Sequence, residues 1–514
     1  MATRVLRPGS RAVLTSLGGQ PWRPLACWPA LRSALPKLDG RRRSSQLPPG
    51  PQGAERLTSV STEKRRATNS SPKTNFEAHK NREDVKEVVD VSDGTSGYKV
   101  LSTSSSLSFY HSDGRAAGKR GFALSNTWLR DNCRCPKCVN QETMQKSFNI
   151  FASPLPTPPA QEVQIEQRGI RVTWTHELHE SFYDWAFIRH YLDNIARALP
   201  SKNRQLWGAE IKENPPTVTF AEVMDSESGV AKMTGLIRKF GLVFVNDTPF
   251  DDSIHTKKLL ERIGPIRETH YGGFYDFIPD MAKADTAYTN IALAAHTDTT
   301  YFTDPAGLQA FHLLSHTPSP GEPDATGGES LLVDGFNAAE KLRESDRALF
   351  YELANRGLPW HASGNEGVTI TPDQLYSVIE LENDRETVQK IRWNNDDRGA
   401  FTGAHHISTK DTDRHGLNVL VLPLPKKSSP ARQMLWYNAA SKWEQILRGK
   451  ELEYWFQLKP GTIVIFDNHR VLHGRSAFTG LRRICGGYIS MDDFVSRWRN
   501  TNLPREEVLA QVIG

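Results

Sequence analysis

Tyr454-Trp-Phe-Gln-Leu-Lys-Pro-Gly-Thr-Ile-Val-Ile-Phe466 and Leu481-Arg-Arg-Ile-Cys-Gly-Gly-Tyr-Ile489 decide the fold class. Both are rich in β-branched and aromatic residues. Turn formers punctuate them, Lys459-Pro460-Gly461 inside the first and Thr479-Gly480 just before the second. The pattern predicts strands at Tyr454–Leu458, Thr462–Phe466, Ala477–Phe478 and Leu481–Ile489, with hardly room for a helix among them. Further upstream, strands are expected at Leu242–Val245, Leu308–Leu314, Ser330–Val333, Lys390–Trp393 and Leu417–Leu422. Helices are expected at Gly229–Lys239, ending at Gly241, and through Leu259-Leu260, capped by Asp251 or Asp252 and ending near Gly264. Strands that follow one another with few helices between them suit an antiparallel barrel or jelly roll better than a parallel sheet. Residues 206–514 are therefore expected to form one mainly β domain with flanking helices.

Within that domain stands Ala295-His296-Thr297-Asp298. Side chains repeat every two residues along a strand, so His296 and Asp298 share a face. Leu472-His473-Gly474-Arg475 follows, with His473 lying 175 residues after Asp298. Two histidines and a carboxylate on one face of a metal form the triad of non-haem Fe(II) oxygenases, which leaves positions for a 2-oxo acid and for O2. A lone His-x-Asp is more often a surface pair, and its weight here comes from a second anchor. Arg482, across the Thr479-Gly480 turn, is placed to meet the free carboxylate of an oxo acid with a planar fork of donors. Arg483 should point the other way.

Three of the five cysteines lie in Cys133-Arg134-Cys135-Pro136-Lys137-Cys138. Clustered thiols of this spacing are metal ligands more often than disulfides, and zinc would need a fourth ligand. His176 and His179 are the candidates. Four protein ligands leave no open position, so the role would be structural. Short β-prone segments flank the cluster (Gly121–Asn126, Lys146–Phe151, Gly169–Thr175), and a helix is expected at Tyr183–Leu199. Residues 78–200 are thus expected to be a small β-rich zinc-binding domain.

Charge is unevenly placed along the 514 residues. Fourteen of the 64 basic residues but only three of the 59 acidic ones fall in the first 75, so that segment carries +11 and the remainder −6. An acidic body argues against nucleic-acid binding. An Arg-rich, acid-free start followed by a Pro/Ser/Gly-rich stretch is the mark of an organellar transit peptide with a disordered linker over residues 1–75. No run approaches the roughly 18 apolar residues of a membrane-spanning helix.

With these residues in hand, the chain resembles the γ-butyrobetaine/trimethyllysine dioxygenases, Fe(II)- and 2-oxoglutarate-dependent hydroxylases of carnitine biosynthesis. The resemblance covers about Gly121 to Asp493. It includes Trp128-Leu-Arg-Asp-Asn-Cys133, Ile266-Arg-Glu-Thr269, Asp285-Thr-Ala-Tyr-Thr289, His296-Thr-Asp-Thr-Thr-Tyr-Phe302, Val333-Asp-Gly-Phe336 and Leu472-His-Gly-Arg475. It implies a double-stranded β-helix (jelly roll) preceded by a zinc domain, often as a homodimer. It implies His296, Asp298 and His473 as iron ligands, Cys133, Cys135, Cys138 and His179 as the zinc set, and Arg482 with Ser330 as the 2-oxoglutarate clamp.

A trimethylammonium substrate needs aromatic faces. The positions similar to the family's cage are Tyr271, Tyr275, Tyr288 and Tyr488, with Tyr275 standing where the family usually has Trp. Tyr271 and Tyr275 would sit together if that segment were helical. Asp285, Asn394 and Asn395 fit the α-ammonium and carboxylate that distinguish trimethyllysine from γ-butyrobetaine. The expected activity is C3 hydroxylation of trimethyllysine coupled to conversion of 2-oxoglutarate to succinate and CO2, with ascorbate as helper and the mitochondrial matrix as location. Intact His296, Asp298, His473 and Arg482 argue against a non-catalytic scaffold.

Overall fold

Ile463–Asp467 and its neighbours show how the core is built. Ile463 and Ile465 pack outward against helices, while Val464 and Phe466 pack inward against a second sheet. The same parity holds in Leu242–Asn246, where Val243 and Val245 face out and Leu242 and Phe244 face in. A sheet covered on both faces reads as an unbroken apolar run rather than an alternating one. The computed structural model describes residues 88–89, 98–111, 122–175, 178–192, 204–278, 289–364, 367–401 and 430–512.

The larger sheet has six strands in the order Tyr275–Phe277, Leu481–Ile489, Leu308–Thr317, Ile463–Asp467, Leu242–Asn246, Thr217–Thr219. All its pairings are antiparallel except the last. The smaller sheet has four antiparallel strands in the order Leu293–His296, Val471–Arg475, Ser330–Asp334, Tyr454–Phe456. Leu332 and Tyr454 of the smaller sheet share a buried cluster with Leu313, Val464 and Ile484 of the larger. This arrangement is consistent with a jelly-roll core. Outside the larger sheet pack helices Glu227–Phe240, Ile254–Glu261 and Met491–Asn502. Gly241 ends the first of these at φ 79°, the left-handed cap that glycine adopts without strain.

Helices Gly335–Ser345, Arg347–Asn355 and Pro430–Leu447 form a separate apolar core with Trp360, Trp393, Trp436 and Trp443 buried in it. The sequence pattern did not bring these helices out: in Pro430–Leu447 the exposed Met434 and Tyr437 blur the stripe formed by the buried Trp436, Ala439, Ala440, Trp443 and Leu447. A buried ion pair ties this region to the sheets. Arg470 donates to both carboxylate oxygens of Asp334, at 3.0 and 2.7 Å, with both side chains out of solvent.

Towards the N-terminus, Phe122–Ser125 joins Tyr98–Ser102 and Ser106–His111 in an antiparallel sheet, and Ala160–Glu166, Gly169–Trp174 and Glu180–Asp184 form a second. Both contribute to one buried cluster around Trp174, Tyr183 and Phe187.

Several expectations are corrected. Tyr183 lies on a strand, and the helix begins only at Trp185 and is described to Leu192. Lys146–Phe151 is a single bridge from Val139 to Lys146 followed by a 3-10 turn, Ile150–Ala152, which Asn149 caps. Ala477–Phe478 is one bridge to Gly327 rather than a strand: Gly327 and Gly328, at φ 73° and 72°, leave extended backbone and do not continue the ladder. The Leu417–Leu422 strand, residues 193–199 of the expected helix, and residues 1–75 lie outside the described residues. Ser253 caps helix Ile254–Glu261 by position, while the Asp252 carboxylate accepts the Ile254 N–H at 2.9 Å.

Candidate active site

Strand register brings the triad together. His296 ends its strand directly opposite His473 on the antiparallel neighbour, and the two rings lie 4.3 Å apart. Asp298 follows two residues on, held through its backbone. Its N–H donates to Asn468 Oδ1 at 2.8 Å, and its carbonyl accepts from Asn468 Nδ2 at 3.0 Å. Asp298 Oδ1 then stands 3.3 Å from His296 Nε2 and 3.7 Å from His473 Nε2.

The His296 Nδ1–H donates to the Ala294 carbonyl at 2.8 Å, which leaves Nε2 as the lone-pair atom a metal needs. Burial, with His296 adding to it, pushes His473 down to about 3, so its imidazole is neutral. Burial would raise the Asp298 carboxyl, but His473, His296 and the Tyr488 hydroxyl outweigh it and hold the group well below the usual range. Burial would lower His296, but its hydrogen bond to Asp298, that carboxylate's charge and the Ala294 carbonyl outweigh it and raise the imidazole, a proton that a cation bound at Nε2 would displace. A carboxylate and two imidazoles, with their ligand atoms all within 4.8 Å of one another, fit a divalent iron.

The triad opens on a cavity walled by both sheets. Arg482 lines it at 1 % exposure. Its Nε and Nη1 have no hydrogen-bond partner among the described residues. Burial, reinforced by Arg475, brings its guanidinium down to about 10, still charged at neutral pH. A buried guanidinium whose donors are unmet is an anion site in waiting. The Gly328 backbone approaches it so closely that a Cβ there would stand 3.2 Å from the guanidinium carbon. Ser330 lines the same cavity. Arg483 does point away: it forms a two-pronged pair with Asp276 at 2.9 and 2.7 Å.

Tyr271, Tyr275, Tyr488 and Asn394 also line the cavity. Tyr271 and Tyr275 meet there without a helix. Tyr271 sits in the turn closed by Thr269 and Gly272, and Tyr275 opens a strand. Asn395 is exposed, accepting from Arg398 at 3.3 Å, and does not line the cavity. Asp285 and Tyr288 lie outside the described residues.

Sequence reasoning passed over Tyr301, Gln309 and Asp397, which line the same space. Tyr301 hydrogen-bonds Tyr271 through the hydroxyls at 3.1 Å, and Asp397 accepts from Thr300 at 2.6 Å. Gln309 was detectable as a polar residue inside the apolar run Leu308-Gln-Ala-Phe311. Asp397 was not, because it arrives only through the pairing of Thr297 with Trp393 at 2.8 and 3.0 Å.

In the N-terminal region, His179 Nε2 stands 3.4, 3.6 and 3.5 Å from the sulfurs of Cys133, Cys135 and Cys138. A tetrahedral zinc with ordinary Zn–S and Zn–N bonds has ligand edges of about 3.6 Å, so the set has the right size. His176 lies outside the described residues. Burial pushes the Cys133 thiol up and Cys138 to about 12. For Cys135, backbone N–H groups of Lys137 and Cys138 outweigh burial and lower it.

The fold and the open triad define a dioxygenase dependent on Fe(II) and 2-oxoglutarate. Residues 197–488 match the family described as taurine catabolism dioxygenase TauD, TfdA family, and residues 99–189 match gamma-butyrobetaine hydroxylase-like, N-terminal. A trimethyllysine dioxygenase of Neurospora crassa is 52% identical over 423 residues, spanning 77% of this chain and 84% of the relative. That of Meyerozyma guilliermondii is 36% identical over 411 residues, spanning 77% and 94%. A relative from Homo sapiens named trimethyllysine dioxygenase, mitochondrial, is 33% identical over 380 residues, spanning 72% and 81%. The chain belongs to the trimethyllysine dioxygenase family.

Proposed function

We propose that the chain hydroxylates N6,N6,N6-trimethyl-L-lysine at C3, coupled to oxidative decarboxylation of 2-oxoglutarate to succinate and CO2, as the first step of carnitine biosynthesis. The observation that carries this is the 52% identity to a trimethyllysine dioxygenase over most of both chains. The open triad beside an unmatched buried guanidinium supports it.

His296, Asp298 and His473 would hold Fe(II), which supplies oxygen activation when bound. Arg482, with Ser330 beside it, binds the far carboxylate of 2-oxoglutarate and so orients the oxo-acid end towards the triad. Tyr271, Tyr275 and Tyr488, with Tyr288, present ring faces to the trimethylammonium group, an attraction of about 2 kcal/mol where water is excluded. Asn394 and Asp285 are assigned to the amino-acid end; the exposure of Asn395 takes it out of that role. Positioning is the protein's contribution: C3 must lie within reach of the metal while both charged ends are held elsewhere.

Residues 78–200 are assigned as a structural zinc domain held by Cys133, Cys135, Cys138 and His179, and 206–514 as the catalytic domain, built as a double-stranded β-helix. Residues 1–75 are assigned as a presequence and linker delivering the enzyme to the mitochondrial matrix; the names of the animal relatives support this. Ascorbate as helper and a homodimer belong to the same reading.

The test supplies purified protein with Fe(II), 2-oxoglutarate, ascorbate and O2, and offers trimethyllysine and γ-butyrobetaine in parallel. Oxygen gain by mass spectrometry is expected with trimethyllysine alone. Gain with γ-butyrobetaine alone keeps the mechanism and overturns the substrate.

A further inference from the structure

We propose that Gln309 and Tyr488 are a positioning pair that makes Asp298 a one-oxygen metal ligand, an inference that rests on the iron-site reading above. Gln309 and Tyr488 are direct register partners across the antiparallel strands Leu308–Thr317 and Leu481–Ile489. Both side chains leave the inner face of the larger sheet and reach the same atom. Gln309 Nε2 donates to Asp298 Oδ2 at 2.6 Å, and the Tyr488 hydroxyl donates to it at 2.7 Å.

Asn468 already pins the Asp298 backbone from both sides. With the backbone held and Oδ2 engaged twice, Oδ1 is the oxygen left facing the two histidine Nε2 atoms. A carboxylate free to turn could bring both oxygens to a metal and use up a position the co-substrates need. Two short donors on one oxygen oppose that rotation.

Stability alone does not explain Gln309. It is 1 % exposed in an apolar strand, and its Oε1 is buried with no partner among the described residues. A buried amide satisfied on one side only costs stability that an apolar residue would not. Tyr488 adds a link to substrate: its ring lines the cavity 6.1 Å from Tyr275, while its hydroxyl holds the ligand. One residue thus touches both the cage and the metal ligand.

The test titrates Co(II), which is stable in air and reports its coordination by its absorption spectrum, into full-length protein whose cysteine site is kept filled with zinc and whose triad has been emptied of metal. Wild type, Tyr488→Phe, Gln309→Leu and Asp298→Ala are compared. Loss of one such outer partner should weaken Co(II) binding by about 10- to 100-fold and shift the spectrum. Tyr488→Phe keeps the ring, so its KM for trimethyllysine should change less than its metal affinity, while succinate formed per hydroxylated product rises. Co(II) affinity and spectrum within about twofold of wild type in both Tyr488→Phe and Gln309→Leu would overturn the pair. If Gln309→Leu fails to fold, Tyr488→Phe decides alone. Wild type that binds Co(II) no better than Asp298→Ala removes the iron-site reading itself, and the pair with it.

Discussion

Cys133, Cys135 and Cys138 come from six consecutive residues, with His179 not far downstream, whereas His473 stands 175 residues from Asp298. The first set offers four ligand atoms, with the histidine nitrogen near 3.5 Å from each sulfur, so a tetrahedral metal held there would keep no open position. The second has three ligand atoms and opens on a cavity with the buried Arg482 at its wall, whose Nε and Nη1 have no partner among the described residues. A closed set can only hold the chain together. An open one can bind what reacts. The contrast also explains where each is supported: the cysteines lean on a local loop and on Arg130, which donates to Cys138 Sγ at 3.2 Å, while the triad needs both sheets.

The largest expected effect separates the two sets by activity. His296→Ala or Asp298→Ala should lower turnover by about 10³-fold or more, since a catalytic metal supplies several kcal/mol. The fold should stay intact by circular dichroism. Near-wild-type succinate release from either variant would end the assignment.

Next comes zinc. Cys138→Ser should remove one zinc per chain by elemental analysis and lower the melting temperature by several degrees, because a structural site contributes folding energy directly. Turnover per folded molecule should change little; a loss as deep as that of Asp298→Ala would make the cysteine set part of the catalytic machinery.

Arg482→Ala should then raise the KM for 2-oxoglutarate by about 10- to 100-fold, in line with charge-assisted hydrogen bonds of 1.5–3 kcal/mol. An unchanged KM would move the clamp elsewhere.

The smallest effect asks whether acid sensitivity belongs only to ligands. His312 is buried, its Nδ1–H donating to Thr256 at 2.7 Å and its Nε2 accepting the Gly461 N–H at 3.2 Å. Burial lowers it to about 4. Between that value and the ordinary 6.5 the unfolded chain binds the extra proton, so stability falls as pH drops through this window. His312→Gln should flatten that decline by on the order of 1 kcal/mol, seen as a shallower fall of melting temperature. An identical slope in wild type and variant would assign the acid limb to other groups.

Local chemistry was readable because it is local. Alternation put Arg482 and Arg483 on opposite faces, and the structure places one in the cavity and the other against Asp276. The Pro-Gly turn and the β-branched runs marked Ile463–Asp467 and Leu481–Ile489 to within a residue or two. The helical layer was harder to see. Pro430–Leu447 buries Trp436, Ala439, Ala440, Trp443 and Leu447 on one face, but apolar residues off that face, Met434 and Tyr437, stand exposed and blur the stripe, and Arg432 is buried on it. Tyr271 and Tyr275 reach one cavity by a turn and a strand, where i to i+4 spacing suggested a helix.

The sequence alone determined which side chains could serve: thiols at metal spacing, a His-x-Asp pair, which the structure places at the end of a strand with Asp298 beyond it rather than on one strand face, and a fork of donors one turn beyond the second histidine. Residue type and a period of two suffice for that. Which atoms face each other was decided by tertiary structure. His296 meets His473, and Gln309 meets Tyr488, through the register of strand pairs far apart in sequence. Asp397 enters the site through the Thr297–Trp393 pairing. Register is a property of two strands together, set by how both sheets bury their apolar faces, and no single stretch of sequence contains it.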